Sequence, residues 1–373
     1  MKKILFVTQD MARTGSEMVL WHLIRGLDPA QFTSYVLCLR RGELYDLLPI
    51  KVEKSIAYKD SGKKSLRIKR KFLQFRGINP LEHQLREIIE TFRPDLMYAN
   101  TIVIPRIGEL AARLNIKLVT HVHELSYAFG FISSNAFSSL ISNSAVCIGC
   151  SPAVVKALGK LNHPNIRLQS SFIDLSVLKP DHEKVWQIRK GMGIDDGDFI
   201  WAVAGAATYM KGFDLLPELL EQLKDPQEKI LWIGRQPDDG LYHYVKHIAE
   251  HHYPGRLLMA GPQGSEYVNY LAAANGFLVL SREESFSLVM VEAAALGLPV
   301  AAFPVGIAEH FLTPAFGCVT ACSTPEAMIN AMGKVRGLTL SARTAGPEAA
   351  SAYDVSEQLP KFKKLMEEIL EDK

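Results

Sequence analysis

Two α/β domains, each a doubly wound parallel sheet, are what this sequence predicts, and three observations carry the prediction. Short apolar runs alternate with segments of helical periodicity from one end of the chain to the other, the pattern of parallel strands joined by crossover helices. The 373 residues are too many for one compact core and suit two domains of ordinary size. Midway, Phe172-Ile173-Asp174 leads into Leu178-Lys179-Pro180-Asp181, a polar linker marked by proline. These signals give domains at residues 1–178 and 179–355, with 356–373 as a terminal segment.

Taken in order, the first half offers strands at Ile4–Thr8, Ser34–Leu39, Leu96–Ala99, Lys117–His121 and Val146–Cys150, each an apolar run short enough to be a strand. Gln9-Asp10 ends the first of them. Ser151 then caps a helix that has Pro152 in its first turn. The second half offers Ile200–Ala204, Lys229–Ile233, Leu257–Ala260, Gly276–Leu280 and Pro299–Phe303. A helix follows the fourth of these and runs to Leu296, where Gly297 and Pro299 stop it. Glu357 to Leu370 has helical periodicity.

Hydrophobic residues make up 48% and charged residues 22%, the composition of a soluble globular protein. A net charge of +2 gives no general attraction for nucleic acid, so no nucleic-acid partner is expected. Lys2-Lys3 runs straight into a strand too short for a signal peptide. No apolar run approaches the ~20 residues that cross a bilayer. Five scattered cysteines, an odd number, suggest reduced thiols and a cytoplasmic protein. Cys147-x-x-Cys150 is a single pair and reads as two buried strand-end thiols in place of a zinc site. His243, His247 and His251 share a helical face and could in principle hold a metal. With no fixed carboxylates near them and Pro254-Gly255 ending the segment, a solvated face is the simpler reading, and no metal is expected.

One charge anomaly stands out. Lys59 to Arg76 holds eight basic residues against Asp60, interleaved with Leu66, Ile68, Phe72, Leu73 and Phe75. Two readings stay open: a basic amphipathic segment on an anionic membrane surface, or a solvated helix whose apolar face packs on its own domain.

The chemistry concentrates at Glu284-Ser285-Phe286-Ser287-Leu288-Val289-Met290-Val291-Glu292. The segment falls between the strand Gly276–Leu280 and the following helix, so Ser285 to Ser287 sit at the carboxyl end of a strand and the amino end of a helix. Free N–H groups and the positive end of the helix dipole favour a phosphate there. Glu284 precedes this anion site and Glu292 lies two turns into the helix. A carboxylate repels phosphate but accepts hydrogen bonds from sugar hydroxyls, so the segment offers a diphosphate cradle between two sugar-binding acids.

This arrangement resembles the E-x7-E signature of the retaining family 4 glycosyltransferases, which have the GT-B fold of two Rossmann-like domains facing across a cleft. Four more segments resemble that family in the same order. Lys2-Lys3-Ile4-Leu5-Phe6-Val7 leading to Gly15-Ser16-Glu17 is similar to its first strand and Gly-Gly-x-Glu loop. Thr120-His121-Val122-His123-Glu124-Leu125 resembles its mid-domain His-Glu element. Val203-Ala204-Gly205 with Lys211-Gly212-Phe213 resembles the strand and Lys-Gly turn that open its second domain. Val305-Gly306-Ile307-Ala308-Glu309 resembles its Gly-Gly-x-x-Glu turn, with Val305 in place of the first glycine.

The resemblance implies a fold, an activity and a set of roles. The first domain would be the acceptor side, the second would bind the nucleotide sugar, and the last helix would cross back to the first domain. The activity would be retaining transfer, without metal or other cofactor, of a hexosyl group from a nucleoside diphosphate sugar, with UDP expected ahead of GDP. The acceptor would be a glycan, lipid-linked, in bacterial polysaccharide synthesis, and the enzyme would work in the cytoplasm, peripheral on the inner face of the membrane. His123 would touch the donor sugar, Lys211 would neutralise the leaving diphosphate and Glu284 would hold the sugar hydroxyls. Glu292 would bind the ribose, while Gly205 and the main chain of Ser285, Phe286, Ser287 and Leu288 would receive the phosphates. Gly15 would let its loop approach the donor, and Glu124 would lie near the acceptor. Many relatives carry an arginine a few residues before the lysine, whereas here Gly205 to Met210 contains none, so either another cation, Arg235, Arg282 or Arg13, takes its place or the donor site is weakened. No acid is placed as a nucleophile, in keeping with a front-face mechanism. Two rivals are a nucleotide-sugar epimerase of the same fold and a degenerate member that binds nucleotide or glycan without transfer.

Overall fold

The structure, a computed structural model, describes residues 1–130 and 132–371. The chain divides into two compact units, one of Met1–Phe172 completed by the helix Val355–Glu371, the other of Ile173–Asp354.

The first unit is built on β1 (Lys2–Thr8), β2 (Phe32–Cys38), β3 (Glu53–Ile56), β4 (Leu96–Ala99), β5 (Leu118–Val122), β6 (Val146–Gly149) and β7 (Ile166–Leu168). They form one parallel sheet in the order β3-β2-β1-β4-β5-β6-β7. Ile4, Leu5, Phe6 and Val7 are wholly buried, because helices cover both faces of a parallel sheet and leave no solvent side on which polar residues could alternate. The helix Val355–Glu371 belongs to this unit through its own core residues. Phe362, Met366 and Ile369 are buried, Phe362 meets Tyr98 edge-on at 6.0 Å, and the Lys117 ammonium donates to the Ile369 carbonyl at 2.6 Å.

The second unit contains β8 (Phe199–Ala204), β9 (Glu228–Ile233), β10 (Leu257–Gly261), β11 (Gly276–Val279), β12 (Val300–Ala302) and β13 (Gly317–Val319). Their order is β10-β9-β8-β11-β12-β13, again all parallel. Trp201, Trp232 and Phe213 anchor its core, with Phe213 edge-on to Trp232 at 4.9 Å. The Trp232 indole N–H is buried yet satisfied, donating to the Gly205 carbonyl at 2.9 Å.

The predicted strands recur with ends shifted by a few residues, while β3, β7 and β13 were not anticipated. Each of the three is an edge strand of three or four residues. The divide also falls a little earlier than residue 178. Ile173 donates to the Tyr353 carbonyl at 3.0 Å and Leu175 to the Asp354 carboxylate at 2.8 Å, which ties the linker into the second unit.

In each sheet the strand order reverses once, between β1 and β4 in the first and between β8 and β11 in the second. Ligands of doubly wound sheets collect at the carboxyl ends of the strands on either side of such a reversal. The loop after β8 is held to β11 by Gly212, which has a left-handed backbone (φ +75°) and no room for a side chain. A Cβ there would stand 2.3 Å from the Leu280 carbonyl oxygen. Gly212→Ala is therefore expected to lower the midpoint of thermal unfolding by at least about 2–4 °C, the shift for ~1 kcal/mol in a unit of this size. Calorimetry of the purified variant checks this, and an unchanged midpoint would show that the turn relaxes freely.

Candidate active site

At the second sheet's reversal, the chain leaves β11 through Leu280 and Ser281, forms a loop, and enters the helix Leu288–Ala295. Ser287 caps that helix in a left-handed conformation (φ 77°), uncommon outside glycine, and its buried hydroxyl has no hydrogen-bond partner. Among the described residues, the backbone N–H groups from Ser285 to Val289 have no protein acceptor; Met290 is the next residue to donate, to Ser287 at 3.2 Å. Several free N–H groups, an unpaired hydroxyl and the positive end of a helix make this loop an anion cradle. The turn Val305-Gly306-Ile307 buttresses it, since a Cβ on Gly306 would lie 2.5 Å from the Phe286 carbonyl, which accepts from the Ile307 N–H at 3.2 Å. Phe286 is itself buried against Tyr353, with ring centroids 5.3 Å apart, so its side chain shapes the loop and only its main chain is available to a ligand.

Lys211 and Glu284 meet in this unit, the lysine ammonium donating to Glu284 Oε1. The same oxygen accepts from the Ser281 hydroxyl at 2.6 Å, while Oε2 has no protein donor among the described residues. Gly205 lies alongside, where a Cβ would touch the Lys211 stem at 3.3 Å. Of the cations proposed to replace the absent arginine, Arg282 is already engaged. It binds both oxygens of Asp214 at 2.7 Å and stacks on the Tyr209 ring at 3.7 Å, which locks the loop after β8 to the loop after β11. Arg13 pairs with Glu43 at 3.2 Å on an exposed surface. Arg235 is exposed beyond β9 and has no side-chain partner among the described residues, which leaves it the freest of the three.

Glu292 is the fifth residue of its helix, one turn in and not two, because the helix begins only at Leu288. One of its oxygens, Oε2, accepts from the Tyr267 hydroxyl at 2.9 Å, and the other has no protein donor among the described residues. Burial raises its pKa, and the Tyr267 hydrogen bond only partly offsets this. Tyr267, Ser281 and the pairing of Arg282 with Asp214 escaped sequence reading. Tyr267 and Asp214 come from separate segments, and Ser281, though only three residues before Glu284, is a single serine after a strand with no signal of its own.

In the first unit, Gly15 opens the helix Gly15–Gly26 just beyond β1 and is exposed, so its space is available to a partner. Glu17 is buried and takes hydrogen bonds from the hydroxyls of Thr14 and Ser16; burial raises its pKa. His123 follows β5. Burial lowers its pKa to about 3, so it is neutral near pH 7 and acts by hydrogen bonding, with no imidazolium charge. Its Nε2 lies 3.1 Å from Asn100 Oδ1, and Asn100 donates in turn to the Ser16 carbonyl at 3.3 Å, which links the loops after β1, β4 and β5. That linkage assigns the proton to Nε2, and the His121 ring packs against His123 at a tilt of 45°, with centroids 4.0 Å apart. Burial raises the Glu124 pKa; its carboxylate accepts from Thr101 and from the main chain of Ile102 and His123.

The remaining metal and thiol candidates lie elsewhere. Cys147 and Cys150 are buried, and burial pushes the Cys147 thiol up to about 12. His243 pairs with Asp238 at 2.6 Å on an exposed face, and His251 bonds the His247 carbonyl, so the described residues of that helix assemble no metal cluster.

Residues 13–177 match the model of Glycosyltransferase Family 4, and residues 184–337 match that of Glycosyl transferases group 1. A stretch of 122 residues is 33% identical to the alpha-galactosylglucosyldiacylglycerol synthase of Streptococcus pneumoniae, covering 32% of each chain. Another of 171 residues is 28% identical to the N-acetyl-alpha-D-glucosaminyl L-malate synthase of Bacillus anthracis, covering 44% of this chain and 43% of that one. The matches thus span less than half the length of these two curated relatives. Among solved structures, the Anabaena protein HepE in complex with UDP-glucose superposes with a TM-score of 0.79 at 19% identity, over 99% of this chain and 100% of that one. Sucrose-phosphate synthase from Thermosynechococcus elongatus gives 0.77 at 17% identity over 99% of both chains. At such identities these structures establish the fold, GT-B.

The raised pKa of Glu292 makes a stability prediction. Its folded form favours the proton, so its contribution is full below the ordinary value of 4.5 and is lost as pH rises through the raised value. Glu292→Gln keeps an acceptor for Tyr267 and removes the charge. It is expected to raise the unfolding midpoint near pH 8, with the gain shrinking to nothing towards about pH 4. Thermal scans of the ligand-free protein across that range check it, and parallel curves for wild type and variant would count against the burial argument.

Proposed function

The chain belongs to the group 1, family 4 glycosyltransferases, and from that premise we propose that it moves a hexosyl group, with retention and without a metal, from a UDP-sugar to a glycan acceptor. The observation that carries the proposal is the single loop-and-helix segment in which free N–H groups from Ser285 to Val289 lie between Glu284 and Glu292. Each acid has one oxygen engaged by a neighbouring hydroxyl and the other free for a ligand. In this reading the diphosphate lies on the N–H groups, Glu292 accepts from the ribose and Glu284 from the donor sugar. As the bond from the anomeric carbon to the diphosphate oxygen breaks, negative charge grows on the phosphate. Lys211 then exchanges Glu284 for that oxygen, a low-cost exchange for an amine about one-third exposed. The acceptor hydroxyl attacks from the same face and passes its proton to the departing phosphate, so no protein nucleophile is required. Arg235 is the remaining candidate for the second phosphate cation. His123, a neutral hydrogen-bond donor, would touch the donor sugar, with Gly15 giving access and Glu124 on the acceptor side.

UDP as the carrier is supported by the complexes of HepE with UDP and UDP-glucose. A lipid-linked acceptor at the inner face of the membrane is supported by the name of the Streptococcus relative and by residues 59–76. In that segment the helix Lys64–Phe75 buries only Leu73 fully and exposes Ile68, Phe72 and Phe75, contrary to a helix that packs its apolar face on its own domain. No helix among the described residues is long and apolar enough to cross a membrane.

Three outcomes test the proposal. UDP at 100 times its dissociation constant should add roughly 2.7 kcal/mol of stability and outperform GDP, and no shift with either would remove the donor assignment. Lys211→Ala should lower kcat about 100-fold with little change in UDP affinity, since its help grows with the charge of the transition state. Binding without measurable transfer or hydrolysis in wild type would instead favour the degenerate rival. EDTA should leave transfer to a soluble acceptor intact, whereas a loss reversed by magnesium or manganese would overturn metal independence.

A further inference from the structure

We propose that the cavity beside the helix Lys64–Phe75 is a binding site for the phosphate of an anionic phospholipid headgroup. The inference rests on the membrane-facing reading of residues 59–76 and gives that surface a specific ligand. The cavity, of about 530 Å³, is lined by Lys59, Lys64, Arg67, Arg70 and Lys71, with Asp60 as the one acid. None of these five cations has an acidic partner among the described residues, whereas Lys69 on the inner side of the helix is paired with Glu87 at 2.6 Å and with the Tyr58 hydroxyl at 3.0 Å. The fold therefore neutralises the inward cation and leaves the cavity unbalanced by several positive charges.

Arg70 supplies the sharper observation. Its Nε is buried with no hydrogen-bond partner. A buried charged donor left unsatisfied is costly, and a phosphate oxygen meets both the charge and the geometry of a guanidinium. The rim favours a lipid over free phosphate. At 100° per residue, Lys64, Arg67, Ile68, Lys71, Phe72 and Phe75 share one helix face, and Ile68, Phe72 and Phe75 are 68%, 52% and 90% exposed. A soluble anion would gain nothing from this apolar row. A bilayer takes the phosphate at the cations and the three side chains among its acyl chains.

The test uses the whole protein and vesicles of phosphatidylcholine carrying either phosphatidic acid or a fatty-acid carboxylate at matched surface charge. Wild type is expected to co-sediment at least about tenfold more tightly with the phosphatidic-acid vesicles, whose phosphate, unlike that of phosphatidylcholine, is not balanced by a choline. Arg70→Gln should remove that preference. Lys63→Gln, which loses one charge outside the cavity, should weaken both vesicle types equally, by about fivefold. Arg70→Lys should retain general binding but not the phosphate preference, because it loses the planar fork. Phe72→Ser with Phe75→Ser, both at exposed positions, should abolish sedimentation with either. Equal binding of both vesicles by wild type, with Arg70→Gln matching Lys63→Gln, would overturn the phosphate site and leave the membrane reading standing. Failure to bind any anionic vesicle at low salt would overturn both. A thermal shift with inorganic phosphate that Arg70→Gln abolishes, without vesicle recruitment, would assign the cavity to a free anion. A dimer that Phe72→Ser dissolves would assign the apolar row to a second copy of the chain.

Discussion

Parallel strands can be joined only by crossovers, and crossovers have one hand. That constraint governs this molecule twice. Strands added to one side of β1 or β8 send their connecting helices to one face, and strands added to the other side send them to the opposite face. Where the two sets diverge, no connection covers the strand ends, and the loops there keep backbone groups that neither sheet nor helix satisfies. The cradle from Ser285 to Val289 and the opening at Gly15 both arise this way. Chemistry at these points is a by-product of topology, and the sequence had only to place the right side chains at loops that were already open.

The side chains at the second reversal are held in an arrangement that is stable without a ligand yet easily exchanged. Lys211 and Ser281 share one oxygen of Glu284, and Tyr267 takes one oxygen of Glu292. Both carboxylates are thereby oriented while half of each remains open. The Arg282–Asp214 pair acts differently, because its bidentate contact and the Tyr209 stack already tie the guanidinium to the loop after β8. It fixes the position of two loops, and the burden of positive charge falls on Lys211 and the main chain.

Legibility followed burial. β1, β8 and β11 are covered on both faces, so their sequences are unbroken apolar runs and could be read directly. β3 and β7 lie at sheet edges and carry exposed or half-exposed residues such as Glu53 and Arg167, and β13 is three residues long. No periodic signal survives in segments like these. Within the site, Glu284, Glu292 and the loop between them were legible because they are contiguous. Tyr267 and Asn100 were not, since each reaches its partners from a distant segment, and Ser281, close to Glu284 in the chain, looks like any polar residue after a strand. The burial of His123 was equally invisible, though it decides that the ring is neutral.

The placement of the helix Val355–Glu371 determines the order in which the molecule can be made. The second unit is one uninterrupted stretch, whereas the first needs Phe362, Met366 and Ile369 to close its core over residues such as Tyr98. On the ribosome, the segment synthesised first must therefore wait with part of its apolar surface uncovered while the segment synthesised second completes its own fold. The nascent first unit is the one exposed to chaperones and to misassembly, and emergence of the helix Val355–Glu371 from the exit tunnel is the event that ends that exposure.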